Sequence, residues 1–208
     1  VHLARMGLGH EVVLVERDLS YVKSSAMLSA GGMRQQFSLK ENIQLSMYSL
    51  EFLRDLEASN ASSGNSGDDS DVSAQFKPNG YMFMASTEAG RETLTQNHAA
   101  QLDCGADWIH YTEDVLQLQQ LYPWLNTDGI LAATYSNGGG EGYFDPWACV
   151  HLMKKEAQRL GVQIIEGKVV DAVVSSRESA GYSVDSVEVQ LTSRGADGER
   201  VVLPVGRV

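Results

Sequence analysis

The sequence contains few cysteines, few basic residues and no long hydrophobic run. Only two cysteines occur among its 208 residues, and Cys104 and Cys149 stand far apart, so we expect two buried thiols rather than a disulfide or a metal pair. The 16 Lys and Arg residues against 27 Asp and Glu give a formal net charge of -11, which argues against nucleic acid as a partner. No apolar run approaches the roughly 20 residues that cross a bilayer, so no transmembrane segment is predicted.

The composition and the first residues indicate a folded protein that opens on part of a nucleotide-binding unit. Hydrophobic residues make up 43% and charged residues 21%, which is ordinary for a globular protein. Residues 1–6 have the pattern of a helix that Gly7 or Gly9 ends, and the apolar run 12–15 predicts a strand. Because this run is continuous rather than alternating, we expect a strand of a parallel sheet that is covered on both faces.

Glu16 ends this predicted strand. In a βαβ nucleotide-binding unit, the carboxylate at the end of the second strand takes the hydroxyls of the adenosine ribose. That acid follows the glycine fingerprint G-x-G-x-x-G by about 20 residues, and counting back from Glu16 by that distance falls before residue 1. We therefore expect the phosphate-binding glycines upstream and interpret the chain as a fragment. Taken alone, the stretch fits an exposed acid at a strand end equally well.

The rest of the chain predicts helices and strands in alternation. The loop 24–34 is rich in small residues, which let a backbone approach a flat ligand closely, although an ordinary tight loop is the alternative. Residues 59–71 are small, polar or acidic and are predicted to form a flexible surface insertion. Helices are expected at 39–57, 88–104, 146–160 and, more briefly, before Pro123; strands are expected at 80–86, 162–176, 186–193 and 200–205.

Three stretches carry a resemblance to a known family, namely "LARMGLGHEVVLVERD", "SSAMLSAGGMRQQF" and "EGYFDPWACVHLMKKEAQRLGVQIIEGKVV". Together they resemble the D-amino-acid-oxidase (DAO) superfamily of FAD-dependent oxidoreductases, over nearly the whole chain apart from the polar insertion. The resemblance implies an α/β fold, in which a partial doubly wound, Rossmann-like FAD-binding domain is interleaved with an α+β substrate-domain segment. The implied order is 1–74 for the first part of the FAD-binding domain, 75–140 for the substrate-domain segment and 141–208 for the truncated second part of the FAD-binding domain.

The resemblance also implies noncovalently bound FAD and a set of residues that contact it. Some relatives attach the flavin through a histidine in the small-residue loop, where this sequence has Leu28. The implied contacts are Glu16 and Arg17 at the ribose, Ser24 and Ser25 at the pyrophosphate, Gly31, Gly32, Met33 and Arg34 along the flavin ring, and the backbone of Val169 at the adenine edge.

The sequence assigns no catalytic residue. Flavin enzymes of this kind oxidise a C–N bond by hydride transfer to the ring, so the protein supplies orientation and electrostatics. The five histidines have no metal-ligand spacing, and we expect them at surface or capping positions. Arg34 either stabilises the negative charge of the reduced ring or forms a salt bridge on its loop. Tyr143, Phe144 and Trp147 could line a ligand pocket, but we expect them to pack the following helix, which Asp145 caps.

These features support two functions. The first is an FAD-dependent oxidoreductase that acts on a small amine or amino acid, and the second is a flavin-fold scaffold or assembly factor with little or no catalysis of its own. The resemblance further implies residence in mitochondria and a role in the assembly of respiratory complex I, with complex I subunits or assembly factors as partners. An NAD-binding dehydrogenase would share Glu16 but leaves the Ser/Ala/Gly loop unexplained. We expect the 208-residue chain in isolation to bind FAD poorly or not at all.

Overall fold

The computed structural model describes residues 1–62, 73–177, 181–192 and 199–205. Within these ranges the chain has a mixed α/β fold, as predicted, and it divides into two compact units. The first unit comprises Val1–Leu28 and Met153–Val208, and the second comprises Ser29–Leu152. None of the described helices is both long enough and apolar enough to cross a membrane.

The described ranges contain nine strands and four helices. The strands are β1 (Val13–Glu16), β2 (Gly32–Met33), β3 (Met82–Ala85), β4 (Ile109–Thr112), β5 (Ala132–Ser136), β6 (Gly142–Tyr143), β7 (Gln163–Arg177), β8 (Gly181–Leu191) and β9 (Arg200–Pro204). The helices are α1 (Lys40–Ser62), α2 (Glu88–Asp103), α3 (Val115–Leu121) and α4 (Pro146–Arg159). Their order confirms the predicted helices and all five predicted strands, which are β1, β3, β7, β8 and β9.

The first unit is built on a four-stranded sheet in the order β1-β7-β8-β9. β1 runs parallel to β7, which confirms the parallel strand, and the other neighbours are antiparallel. The expected cover on both faces of β1 is wrong within the described chain, because Val13 and Leu14 are each 40% exposed. β1 lies at the edge of the described sheet, where an edge strand has a neighbour on one side only.

Helical turns precede β1, as predicted, and reach further than expected. Ala4–Leu8 form a π-helical turn and Gly9–Glu11 a 3₁₀ turn. Gly7 has a φ of 89°, a backbone conformation that glycine adopts without steric cost. One core cluster of this unit consists of Ala4, Ala157 and Val162, with Val1, Val12, Leu160 and Ile164 packed around them.

Glu156 is a buried acid of the first unit. Its side chain is 3% exposed, and its Oε2 and Oε1 accept hydrogen bonds from Arg159 at 2.7 and 3.0 Å. Arg5 lies 3.5 Å from Oε1. The hydrogen bonds from Arg159, and then the charges of Arg159 and Arg5, hold the pKa of Glu156 below its ordinary value of 4.5. A lowered folded-state pKa stabilises the fold above the unfolded-state pKa, and this contribution disappears as the pH falls through the lowered value.

Glu156→Gln is therefore expected to lower the free energy of unfolding by about 1–3 kcal/mol at neutral pH, because the ion pairs with Arg159 and Arg5 are lost. The difference from the wild type should shrink as the pH is lowered through the lowered pKa. Urea unfolding at neutral and acidic pH measures this difference in the free energy of unfolding. The control is Glu11→Gln, which changes an exposed acid. A difference that grows on acidification would contradict the assignment.

The second unit contains two small antiparallel sheets. One has the order β3-β5-β4, and every residue of its central strand β5 is buried. The other pairs β2 with β6, so that Gly32 lies opposite Tyr143 and Met33 opposite Gly142. This pairing connects the small-residue loop to the segment before α4.

The helices α2, α3 and α4 begin at side-chain caps. Thr87 Oγ1 caps α2, and Asp114 Oδ1 accepts two backbone N–H groups at the start of α3. Asp145 Oδ1 accepts the N–H groups of the first turn of α4 at 2.8 and 3.1 Å, which confirms the predicted cap. α4 ends before Gly161, whose φ of 91° is typical of a helix C-terminus.

α1 extends further than its apolar pattern predicted. The predicted helix ended near residue 57, whereas α1 continues to Ser62. The flexible insertion predicted for 59–71 is therefore wrong for residues 59–62, because a formed helix propagates at little cost through residues of modest helix propensity. The remaining residues of that prediction, 63–71, lie outside the described residues.

Ile43 anchors α1 in the core of the second unit. Its side chain is fully buried and packs with Ala106 and Ile109. Ile43→Ala is expected to lower the free energy of unfolding by about 2–5 kcal/mol, because it removes apolar contacts and leaves a cavity. Chemical denaturation measures the loss, and Leu45→Ala, which changes an exposed side chain of the same helix, should cost far less. Equal losses for the two variants would contradict this account of the core.

Candidate functional site

Each unit contains a cavity that is lined by residues predicted to bind the cofactor. The cavity of the first unit, here called the Glu16 cavity, measures about 480 Å³ and is lined by Glu16, Arg17, Asp18, Tyr21, Lys23, Ser24 and Ser25. The cavity of the second unit, here called the Arg34 cavity, measures about 640 Å³ and is lined by Gly32, Met33, Arg34, Phe37, Asn42, Leu45, Ser46, Ser49, Tyr81 and Phe144. The structure thus brings four of the nine predicted residues together in one cavity and three in the other, while Gly31 and Val169 line neither.

Glu16 lies at the carboxyl end of β1, where the parallel β1–β7 pair ends. Its Oε1 accepts a hydrogen bond from the Asp18 backbone at 3.0 Å, which folds the chain into the turn after the strand. Oε2 has no hydrogen-bond partner among the described residues. An ionised carboxylate has about four acceptor positions, so Glu16 retains the capacity to accept from ribose hydroxyls.

The remaining lining of the Glu16 cavity offers positive charge and hydrogen-bond donors. Arg17 and Ser25 make no side-chain hydrogen bond with the described residues, and Lys23 adds a second cation. Ser24 Oγ accepts the Met27 N–H at 3.3 Å and keeps its own O–H as a donor. Burial and then the charge of Glu16 raise the pKa of Tyr21. The lining as a whole has two carboxylates, Glu16 and Asp18, two cations and three hydroxyls. The Glu16 acceptor, the cations and the hydroxyls suit the ribose and phosphates of a dinucleotide.

Val169 lies in β7, three residues beyond the last residue that pairs with β1. The Gln163 N–H donates to Val12 O at 3.1 Å, so it points toward the β1 side of β7. Backbone groups alternate along a strand, so those of Val169 point to the same side. No described strand covers that side of β7 at Val169. The backbone amide and carbonyl are therefore open to a flat, hydrogen-bonding ligand, as the adenine contact requires.

Arg34 is held in its cavity by two aromatic rings. The guanidinium carbon lies 4.4 Å from the ring centroid of Phe37 and 5.3 Å from that of Phe83. No carboxylate of the described residues lies within salt-bridge distance of Arg34, so the salt bridge proposed as its alternative role is not found there. Stacking engages the face of the guanidinium and leaves the N–H donors at its edge free for an anionic ligand.

A Cβ atom would clash with neighbouring atoms at both glycines that precede Met33. Gly31 has a φ of 66°, and a Cβ atom there would overlap the carbonyl oxygen of Phe144. At Gly32 a Cβ atom would overlap the hydroxyl of Tyr81. Packing within the second unit therefore accounts for both residues, and their contact with a flavin stays a prediction.

Sequence reasoning missed part of the aromatic lining of the Arg34 cavity. Phe144 lines the cavity. Trp147 is 52% exposed but stacks on His151 of α4 with 3.7 Å between the ring centroids, whereas for Tyr143, which is 48% exposed, packing against the helix stays a prediction. Phe37 and Tyr81, which also line it, stand 44 residues apart in sequence. No local pattern could have paired them.

The histidines and cysteines form no site of their own. Within the ranges that the structure describes, no group of three or more His, Cys, Asp or Glu side chains is placed to hold a metal ion. His98 Nε2 lies 2.9 Å from Ile109 O, and His151 Nδ1 lies 2.9 Å from Trp147 O. Both cysteines are free, and burial, followed by the charge of Glu57, raises the pKa of Cys149.

Comparisons with known proteins show which family this chain belongs to. A family model described as FAD dependent oxidoreductase (DAO) matches residues 1–206. FAD-dependent oxidoreductase domain-containing protein 1 of Xenopus laevis is 41% identical over 177 residues, which cover 85% of this chain and 34% of that protein. The chain spans about a third of the length of the curated relatives it matches.

Two solved structures share the fold at low sequence identity. L-proline dehydrogenase from P. horikoshii superposes with a TM-score of 0.66 at 16% identity, over 97% of this chain and 48% of that one. Glycine oxidase from Bacillus cereus superposes with a TM-score of 0.62 at 15% identity, over 95% of this chain and 50% of that one. The resemblance seen in the sequence is confirmed, and the chain belongs to the DAO family of FAD-dependent oxidoreductases.

Proposed function

We propose that this chain supplies cofactor-binding and substrate-facing residues of an oxidoreductase that oxidises the C–N bond of a small amine or amino acid. The observation that carries the proposal is Arg34, a cation in contact with the rings of Phe37 and Phe83 in a cavity of about 640 Å³, with no carboxylate partner among the described residues. A cation without a counter-ion favours a ligand that is negative or becomes negative during the reaction, as a flavin does on reduction.

FAD, when bound, would supply the acceptor for a hydride from the carbon next to the substrate nitrogen. The residues of this chain bind FAD and orient it. Glu16 accepts hydrogen bonds from the ribose, and the cations Arg17 and Lys23 offset phosphate charge. Arg34 supplies positive charge from the side of the Arg34 cavity. The rings of Phe37 and Phe144 form part of the lining of that cavity, and apolar groups near the guanidinium weaken the dielectric screening of its charge.

The proposed attachment of FAD is noncovalent. Leu28 stands where some relatives carry the histidine that bonds to the flavin, and leucine has no nucleophilic atom. Acid precipitation of the flavin-loaded protein tests this proposal. The yellow colour is expected in the supernatant, and flavin that stays in the pellet would contradict it.

Anaerobic reduction tests the proposed reaction. The full-length gene product should purify with stoichiometric flavin, whose absorbance near 450 nm should bleach when a secondary amine or amino acid is added without oxygen. A panel of N-methylated and cyclic amino acids would locate the substrate. Flavin that no amine reduces, in a protein that co-purifies with respiratory subunits, would favour the scaffold function instead.

The cellular setting is also a proposal, and it rests on the family resemblance alone. The protein is proposed to reside in mitochondria and to take part in the assembly of respiratory complex I, with its subunits or assembly factors as partners. Fractionation of cells that express a tagged full-length protein, followed by affinity purification of mitochondrial extract, tests both parts. Recovery outside mitochondria, or without complex I proteins, would contradict this setting.

A further inference from the structure

Glu141 is an acid with no exposed surface in the second unit, one residue before β6. Its Oε1 accepts hydrogen bonds from the backbone N–H groups of Gln35 and Gln36 at 2.6 and 2.9 Å. Its Oε2 accepts from Gln36 Nε2 at 2.7 Å and from Ser136 Oγ at 2.5 Å. All four donors are neutral, and no described cation forms an ion pair with Glu141.

This arrangement suits the ionised carboxylate. A buried charge without a counter-ion is unfavourable unless its lone pairs are filled, and here four donors fill them. A protonated acid would turn its own O–H toward one of those donors. No local pattern indicates this role, because "GGGEG" has the composition of an ordinary surface turn.

The hydrogen bonds of Glu141 fix the segment that carries Arg34. Gln35 and Gln36 stand directly between Arg34 and Phe37 in the chain, so the carboxylate fixes the backbone that joins the guanidinium to the ring it stacks on. Two consecutive N–H groups bound to one oxygen leave this backbone little freedom.

The same carboxylate also fixes Tyr81 on the lining of the Arg34 cavity. Ser136 Oγ, which donates to Glu141, accepts the Tyr81 N–H at 3.1 Å. Gln36 Nε2, which also donates to Glu141, donates to the Tyr81 carbonyl at 3.0 Å. Glu141 therefore connects two parts of the lining that are far apart in sequence.

We propose that Glu141 is a positioning residue, whose buried carboxylate holds Arg34 and Tyr81 in place around the Arg34 cavity. Glu141 does not line the cavity, so it acts through the segment 34–37 and through Tyr81. The inference rests on the proposed function, because it assigns Arg34 the role of stabilising the reduced flavin.

Hydrogen exchange of the protein without flavin tests the positioning role directly. Glu141→Gln keeps the size of the side chain but turns an N–H₂ group toward donors, so amide exchange across residues 33–37 and 80–82 should become about tenfold faster or more. Glu141→Asp keeps the charge and should recover part of the protection. Glu156→Gln removes a buried acid of the first unit and should leave these peptides unchanged. If Glu141→Gln does not fold, Ser136→Ala removes one donor and should give a smaller change of the same sign.

The reduction potential of the bound flavin distinguishes positioning from a direct charge effect. Removing the negative charge of Glu141 by itself would raise the potential, because an anion opposes the negative charge of the reduced ring. Displacing Arg34 would lower it. Glu141→Gln is therefore expected to lower the potential in the same direction as Arg34→Met, and Glu156→Gln should not shift it.

Unchanged exchange at residues 33–37 in Glu141→Gln, or a raised potential, overturns the inference. A wild-type protein that takes up no FAD would instead overturn the proposed function. The exchange experiment would still decide whether Glu141 fixes the segment 34–37, so the two failures can be told apart.

Discussion

Replacing Glu16 with alanine is expected to weaken FAD binding about thirtyfold or more, which corresponds to about 2 kcal/mol or more. The variant loses a carboxylate whose Oε2 is free to accept from the ribose, and hydrogen bonds to charged groups are among the stronger ones in proteins. Titration of the flavin-free full-length gene product with FAD, followed by quenching of flavin fluorescence, measures the dissociation constant.

Two further variants show whether the charge itself matters. Glu16→Gln keeps the side-chain size and an oxygen for the Asp18 N–H, so it should lose less affinity than Glu16→Ala. Glu11→Ala removes an exposed acid that lies five residues earlier and should bind FAD like the wild type. An unchanged affinity in Glu16→Ala would show that Glu16 does not bind the ribose.

Replacing Arg34 with methionine is expected to slow flavin reduction by the amine substrate about a hundredfold. Methionine fills a similar volume between Phe37 and Phe83 but brings no charge, so the negative charge that develops on the flavin loses its stabilisation. The limiting rate constant of the anaerobic half-reaction, followed by stopped-flow absorbance, measures this effect separately from substrate binding.

Two control variants test whether the charge of residue 34 and its position in the cavity matter. Arg34→Lys keeps a positive charge but loses the flat guanidinium that stacks on the rings, so an intermediate rate is expected. Arg54→Met removes a cation from α1, which contacts the Gly139 carbonyl and does not line the Arg34 cavity, and should leave the rate unchanged. Equal rates for Arg34→Met and the wild type would remove Arg34 from the proposed mechanism.

Local sequence was a good guide to the helices and a poor one to four of the strands. α2 and α4 match their predictions closely, because caps such as Asp145 act within one turn of the backbone they satisfy. The short strands β2 and β6, and the longer β4 and β5, were not predicted. β5, "AATYS", has no alternation of polar and apolar residues, and it is a strand because its neighbours β3 and β4 satisfy its backbone and bury it.

The residues of the candidate site also divide into those that local sequence could predict and those that it could not. Glu16 could be predicted because a strand that ends in an acid is a local signal whose position in a βαβ unit is fixed. Glu141 could not be predicted, because its function depends on donors more than 100 residues away in the chain, at Gln35 and Gln36. Its burial also reverses the usual expectation that an acid among glycines faces water.

Residues close together in the chain were enough to predict the family, the helix ends at caps and glycines, and the acid that ends the first strand. Which side chains surround Arg34, and which acid hydrogen-bonds to that segment, became evident only in the folded chain. Those contacts join residues near positions 35, 81, 136 and 141, and their energies exist only once folding has brought the segments together and removed the water between them.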